Sequence, residues 1–174
     1  MMGVGVPATE GSAPSAIGTS GTIRGYAAIF GETDQSGDAI EPGAFAASLF
    51  RRGAAGIRML WQHDVARPVG TWRTVREDRT GLYVEGELAL RTDAGREAAG
   101  LIAAGALDGL SIGFRTQLAR RGIGATRRRL VTIDLWEISL VTFPMQDRAR
   151  LLPAHRLSPA RQAGPAAERP PAFG

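Results

Sequence analysis

The sequence predicts a strand-rich α+β domain, in which a sheet or barrel is accompanied by two or three helices. Most apolar segments between residues 21 and 143 are short and alternate with polar residues, as strands do, and only two segments have helical spacing. The chain has 174 residues, of which 44% are hydrophobic. It is therefore long enough for one domain with a buried core.

The predicted strands can be taken in chain order. The segment GTIRGYAAIFG begins the ordered part, and the apolar run GIRMLWQHD ends at His63. A hairpin follows, because GTWRTVREDRTGLYVEGELAL alternates on both sides of the turn sequence EDRTG. The last two strands, GLSIGFRTQLA and RRLVTIDLWEISLVTF, are joined by an arginine-rich loop.

Two segments predict helices. In DAIEPGAFAASL, Pro42 fits the first turn, and Phe45 and Leu49 lie four residues apart on one face. In TDAGREAAGLIAAGAL, Thr92 or Asp93 supplies the N-terminal cap.

The two ends of the chain differ in composition from the middle. Residues 1–20 are rich in Gly, Ser, Ala and Pro, and residues 151–174 are rich in Pro, Ala and Arg without a usable period. Both are predicted to be disordered, which leaves one folded domain over residues 21–150.

Missing residue types exclude several chemistries. The chain has no cysteine and no lysine, so thiolate nucleophiles, disulfides, Schiff-base lysines and Ser–Lys dyads are ruled out. Only His63 and His155 are present, and His155 falls in the predicted tail. We therefore expect no metal and no cofactor. No apolar run approaches the roughly 20 residues of a membrane span, and no secretory signal is visible. We expect a soluble, intracellular protein without membrane association.

The net charge of +4 comes from clustered arginines, mainly in ARRGIGATRRRL and the tail. No recognition helix or aromatic stacking motif accompanies them. The pattern favours a solvated hairpin loop over a specific nucleic-acid site, while attraction to an acidic protein or to packaged nucleic acid stays open.

Ser111 is the first candidate for chemistry. In a strand, Ser111 and Gly113 fall on the face opposite Leu110 and Ile112, where small neighbours leave room for a peptide. The alternative is that these small residues only allow close packing. The pattern Gly-x-Ser-x-Gly is present, but here it follows a helix and enters a strand. That order is the reverse of the hydrolase elbow, so its mechanism does not transfer.

A serine nucleophile needs a base, and His63 is the one usable imidazole. Alone, His63 could equally be a polar residue at a strand end. Strict alternation along VTIDLWEISLVTF places Glu137 on one face with Leu135 and Val141. A carboxylate among apolar residues needs a partner, either an arginine or His63. Glu137 ranks first as the third member, ahead of Asp108 and Asp64.

Five segments together resemble one family, the prohead maturation serine proteases of tailed bacteriophages. They occur in the family's order over residues 22–150: GYAAIFG, EPGAF, LWQHDVARPVG, GLSIGF and WEISLVTFPMQDRA. The family usually has Ala-Asn after FP, where this chain has Met145-Gln146.

The resemblance implies a fold similar to herpesvirus assembly proteases, a β-barrel surrounded by helices. It implies that Ser111 is the nucleophile, His63 the base and Glu137 the third catalytic residue. Backbone N–H groups near Gly113, or an arginine such as Arg148, are candidates for the oxyanion donors.

The resemblance also implies where and on what the protein acts. The substrates would be scaffolding protein or the scaffold segment of the major capsid protein, cleaved inside the immature capsid in the bacterial host cytoplasm. The protein would also cleave itself, with residues 1–20 and 151–174 as self-cleavage or targeting segments. A homodimer is compatible with this picture. Two other classes are a catalytically dead assembly module of the same fold and an arginine-rich nucleic-acid-binding protein.

Overall fold

A computed structural model describes residues 20–153. The predicted disordered ends lie outside this range, apart from Ser20 and residues 151–153. The described chain forms seven strands, two α-helices and one short 3-10 helix at Ala54–Gly56. The strands are β1 (Thr22–Ile29), β2 (Asp38–Ile40), β3 (Arg58–Trp61), β4 (Asp64–Glu77), β5 (Gly81–Leu88), β6 (Gly109–Arg121) and β7 (Arg128–Val141); the helices are α1 (Ala46–Arg52) and α2 (Asp93–Ala103).

All seven strands belong to one sheet, in which β7 is the central element. The order is β1-β5-β4-β3-β7-β2, and β6 pairs with β7 as well. On one side β7 is antiparallel to β6 along its whole length. On the other side it is parallel to β2 at residues 128–130 and to β3 at residues 137–140. The predicted hairpins β4–β5 and β6–β7 are confirmed.

Residues 149–152 connect the two outer strands of the curled sheet. The Leu110 N–H donates to the Ala149 carbonyl at 2.8 Å, and the Tyr26 N–H donates to the Arg150 carbonyl at 3.1 Å. Leu151 is buried in this connection. The chain after β7 therefore lies between β1 and β6. Its residues 151–153 belong to the segment that was predicted from its composition to be disordered.

The core fills the inside of the curl. On β7 the core residues come both before and after Trp136 in the sequence. The other strands add Trp72 and several aliphatic residues. The fully buried set from these strands includes Leu130, Ile133, Leu135, Ile138 and Leu140 on β7, Leu82 and Val84 on β5, and Leu110 on β6. Burial of this continuous apolar surface is the main favourable contribution to folding.

The helices pack against the sheet, α1 mainly against β7 and α2 against β4 and β5. The start of α2 is as predicted, because the Thr92 hydroxyl accepts the Gly95 N–H at 3.1 Å. Among residues 20–153, neither helix is long and apolar enough to cross a membrane.

The helix predicted over DAIEPGAFAASL was wrong in its first half, because Asp38–Ile40 forms β2 and α1 begins only at Ala46. Pro42 lies in the turn that precedes α1. The physical reason is a tertiary contact. The Glu77 carboxylate accepts the N–H groups of Gly43 and Phe45, each at 2.8 Å. These bonds satisfy the turn's donors without a helical turn.

Gly25 tests whether the connection by residues 149–152 stabilises the fold. A Cβ at Gly25 would lie 2.3 Å from the Arg150 carbonyl oxygen, so Gly25→Ala must displace the connecting segment. We expect a loss of about 1–3 kcal/mol in the free energy of unfolding, measured by urea denaturation. Gly100→Ala is the matched control, because nothing lies within 4 Å of its added Cβ on α2. That control should gain about 0.5–1 kcal/mol. Equal stability of Gly25→Ala and wild type would contradict the packing described here.

Candidate active site

Three adjacent strands bring the site together, in the order β3, β7, β6. Ser139 on β7 pairs with Leu60 on β3 and with Ser111 on β6. Directly opposed residues of an antiparallel pair point to the same face, with Cβ atoms about 4.5–5.5 Å apart. Ser111 and Ser139 are therefore side-chain neighbours, and the end of β3 lies on the far side of Ser139.

His63 lies in the turn that follows β3. Gln62 and His63 form a two-residue connection between Trp61 and Asp64, and both have positive φ, 50° and 62°. A tight hairpin of type I′ requires this backbone conformation, which non-glycine residues rarely adopt. The Gln62 side chain donates to the Thr142 hydroxyl at 2.7 Å and so ties the turn to the end of β7. His63 is thereby held at the rim of the sheet, as predicted.

His63 and Glu137 are in direct contact. The imidazole Nδ1 lies 2.5 Å from Glu137 Oε1, and the imidazole is 42% exposed. The hydrogen bond to the carboxylate raises the pKa of His63 above its ordinary 6.5, and partial burial opposes this. Because a carboxylate can only accept, Nδ1 carries the proton in the neutral ring. Nε2 is then left as the proton acceptor.

A β-bulge at Trp136 decides which way Glu137 points. Gly113 pairs with Glu137 and the next residue, Phe114, pairs with Leu135, so Trp136 has no partner. The expectation that Glu137 shares a face with Leu135 was therefore wrong. The extra residue reverses the alternation, which leaves Leu135 on the core side and Glu137 on the face of Ser111.

Gly113 leaves the space that the Glu137 carboxylate occupies. A Cβ at Gly113 would lie 2.1 Å from Glu137 Oε1. The carboxylate thus lies directly over the α-carbon of Gly113, where any side chain would displace it. The absence of a side chain at Gly113 makes room for the Glu137 carboxylate, whereas the sequence pattern suggested only open space beside Ser111.

Ser139 is a site residue that the sequence patterns do not single out. Its fully buried hydroxyl donates to Glu137 Oε2 at 2.6 Å and accepts the His63 backbone N–H at 3.1 Å. Ser139 therefore fixes both the carboxylate and the turn that carries the imidazole. The available signal was a hydroxyl two residues after Glu137 within the mainly apolar segment ISLV, because a buried hydroxyl needs a partner.

The other two carboxylate candidates are engaged elsewhere. Asp64 accepts the N–H of Ala66 at 2.9 Å, within its own strand start. Asp108 is paired with Arg150 at 2.5 Å. Within residues 20–153, no three side chains of metal-binding type are grouped together.

Ser111 itself is almost completely buried, with 4% of its surface exposed. Among the hydrogen bonds of the described chain, none involves its hydroxyl, which leaves that group available for a reaction. The guanidinium of Arg148 is bound to Glu32. This ion pair is largely exposed, so both Arg148 and the backbone N–H groups near Gly113 stay candidate oxyanion donors.

Comparison with known proteins identifies the family. Residues 9–160 match the caudovirus prohead serine protease family. The chain belongs to this family. It is 35% identical over 134 residues to the prohead protease of Enterobacteria phage HK97, which covers 76% of this chain and 59% of that protein. This member thus spans less than two thirds of its relative.

The fold of this prohead protease family member resembles that of a herpesvirus enzyme. The structure of the KSHV protease in complex with a hexapeptide phosphonate inhibitor matches with a TM-score of 0.51. The match covers 75% of this chain and 63% of that chain at 12% identity. The likeness is therefore one of fold, and the curled sheet agrees with the strand-rich part of the fold that the sequence resemblance implied.

The pKa of His63 tests the contact with Glu137. Glu137→Gln removes the negative charge that favours imidazolium, so the pKa of His63 should fall toward 6.5. The measurement is an NMR titration of the imidazole signals, with His155 as an internal reference. An unchanged midpoint for His63 in the variant would show that the two side chains are not in contact in solution.

Ser139→Ala tests the bridge between Glu137 and the His63 turn. The change leaves a buried carboxylate oxygen and an N–H without their partner, so we expect a loss of about 1–3 kcal/mol in stability and an altered His63 titration. Ser48→Ala is the matched control. Ser48 is equally buried and its hydroxyl accepts the Leu135 N–H at 3.1 Å, and none of the hydrogen bonds of residues 20–153 joins Ser48 to His63 or Glu137. It should lose stability and leave the titration of His63 unchanged. Identical titrations in both variants would contradict the bridge.

Proposed function

We propose that this protein is a serine endopeptidase of phage head maturation, with Ser111 as nucleophile, His63 as base and Glu137 as the residue that orients the base. The observation that carries the proposal is the hydrogen-bonded chain from His63 through Glu137 to Ser139, with Ser111 paired directly opposite Ser139. A nucleophile, a base and an oriented carboxylate on one face of a sheet form the arrangement that acyl transfer requires.

The first half of the reaction forms the acyl-enzyme. His63 Nε2 takes the Ser111 hydroxyl proton as Oγ bonds to the peptide carbonyl carbon. Glu137 accepts from Nδ1 and stabilises the imidazolium that results. The tetrahedral intermediate then collapses, and the proton on Nε2 passes to the leaving amine as the C–N bond breaks. Backbone N–H groups near Gly113 are the proposed donors to the oxyanion.

The second half releases the product. Water enters in place of the amine and gives a proton to His63 Nε2 while its oxygen bonds to the acyl carbon. The C–O bond to Ser111 then breaks, the proton returns to Oγ, and the carboxylic acid leaves. Each half uses neutral His63 as base and imidazolium as acid, so the enzyme returns to its starting state.

The proposed substrates, partners and location rest on the family and on the similarity to the prohead protease of phage HK97. The proposed substrates are scaffolding protein or the scaffold segment of the major capsid protein, together with the protease chain itself. The proposed place of action is the inside of the immature capsid in the bacterial host cytoplasm. We also propose that the curled sheet is part of a β-barrel with helices around it, and that the protein can form a homodimer.

The two competing classes receive less support from the structure. A catalytically dead assembly module would have no need for the strained His63 turn or for the carboxylate held over Gly113. An arginine-rich nucleic-acid-binding protein would present free arginines. Around the tip of the β6–β7 hairpin Arg128 pairs with Asp38 and Arg129 with Glu41, which leaves Arg120, Arg121 and Arg127 without an ion pair among residues 20–153. Three exposed arginines without an aromatic stacking surface are a weaker basis for function than the site around Ser111.

Ser111→Ala tests the nucleophile directly. Wild type and variant are each co-expressed with the neighbouring capsid or scaffolding protein, and the intact masses of both partners are followed over time. We expect defined fragments with wild type and none with Ser111→Ala, because alanine has no oxygen to attack the carbonyl. Ser48→Ala controls for loss of a buried serine and should cleave like wild type. Equal cleavage by Ser111→Ala and wild type would remove Ser111 from the mechanism.

A further inference from the structure

We propose that an apolar cavity beside Ser111 receives an aliphatic side chain of the substrate, one that belongs to a residue adjoining the scissile bond, and that Met145 sets the size of that side chain. This inference rests on the proposed protease function and adds the substrate class to it.

The cavity adjoins the proposed nucleophile and is mostly apolar. Its volume is about 120 Å³, and Ser111 is part of its wall. The floor is made by buried small and aliphatic residues, and the mouth lies at exposed Ser36 and Met145. The apolar lining consists of Ala27, Ala28, Ile40, Leu110, Ile112, Phe114, Met145 and Ala149. A peptide whose carbonyl reaches Ser111 must therefore place a neighbouring side chain at or inside this opening.

Apart from the Ser111 hydroxyl, the polar side chains of the wall are already hydrogen-bonded within the protein. The Gln146 side-chain oxygen accepts the Ile29 N–H at 2.7 Å, and its amide nitrogen donates to the carbonyls of Ile29 and Glu32, each at 3.0 Å. The Asp34 Oδ1 accepts two backbone N–H groups and the Ser36 hydroxyl. A polar substrate side chain would lose its water here and gain few partners, whereas an aliphatic one gains burial.

The volume limits the size of the side chain. An apolar protein cavity of 150 Å³ binds benzene, and this one is smaller, at about 120 Å³. Leucine, isoleucine and methionine side chains fit this space, and the tryptophan ring system is too large. Met145 is 42% exposed at the mouth, so its shortening enlarges the opening without disturbing the buried floor.

The experiment uses the full-length protein and an equimolar library of random decapeptides. Cleavage sites are read by mass spectrometry for wild type, for Met145→Ala and for Ile123→Ala. Ile123 is the control, because it is an exposed apolar residue that does not line this cavity. We expect leucine, isoleucine or methionine beside the cut to exceed aspartate and lysine by about tenfold or more. Met145→Ala should shift the preference toward phenylalanine, and Ile123→Ala should keep the wild-type preference.

The outcomes separate this inference from the function on which it rests. Cleavage that depends on Ser111 but shows no preference at either side of the cut would overturn the inference and leave the protease intact. A preference for arginine or lysine that is lost in Asp34→Asn would also overturn it, since the acidic rim would then select the substrate. An unchanged preference in Met145→Ala would overturn the role of Met145. Absence of cleavage in the library and in the capsid co-expression would overturn both proposals.

Discussion

The hydrogen bonds around the Glu137 carboxylate are the interaction on which the rest of the site depends. Most residues of β7 around Glu137 are buried. An unpaired charge would be costly at such a position. His63 and Ser139 each provide one hydrogen bond, to different carboxylate oxygens. Removal of either partner leaves a buried charge partly unsatisfied, and removal of the carboxylate frees both the imidazole and the turn that carries it. Because an unpaired buried charge is costly, the Glu137 carboxylate holds the His63 imidazole and the Ser139 hydroxyl in fixed positions.

Strand β7 brings the site residues together because it lies between the two elements that carry the proposed base and the proposed nucleophile. Its parallel pairing with β3 places the His63 turn at one flank of Ser139, and its antiparallel pairing with β6 places Ser111 at the other. The bulge at Trp136 turns Glu137 away from the core at this level. An unbroken ladder would have directed the carboxylate into the apolar interior, so one unpaired residue gives β7 both a core face and a site face.

The segment after β7 has two structural roles. Ala149 and the residues that follow it connect β1 to β6, which holds the sheet in its curled shape. Met145 and Gln146, a few residues earlier, form a wall of the cavity beside Ser111. The Gln146 amide joins this wall to the end of β1, so the curl of the sheet and the shape of the cavity depend on the same short piece of chain.

Local sequence pattern determined the elements of this protein and the residue types available for chemistry. Strand alternation, the Thr92 cap and the hairpin turns act over a few residues, so they can be read without the fold. The absence of cysteine and lysine left His63 as the one usable base for Ser111. The tertiary structure decided the orientation of Glu137, because a bulge depends on the partner strand. It also decided the roles of Gly113 and Ser139, because the Glu137 carboxylate over Gly113 and the His63 N–H bound by Ser139 reach them only across neighbouring strands. The start of α1 differs from the prediction for the same reason. The carboxylate that accepts the N–H groups of the turn before α1 belongs to Glu77, over 30 residues away.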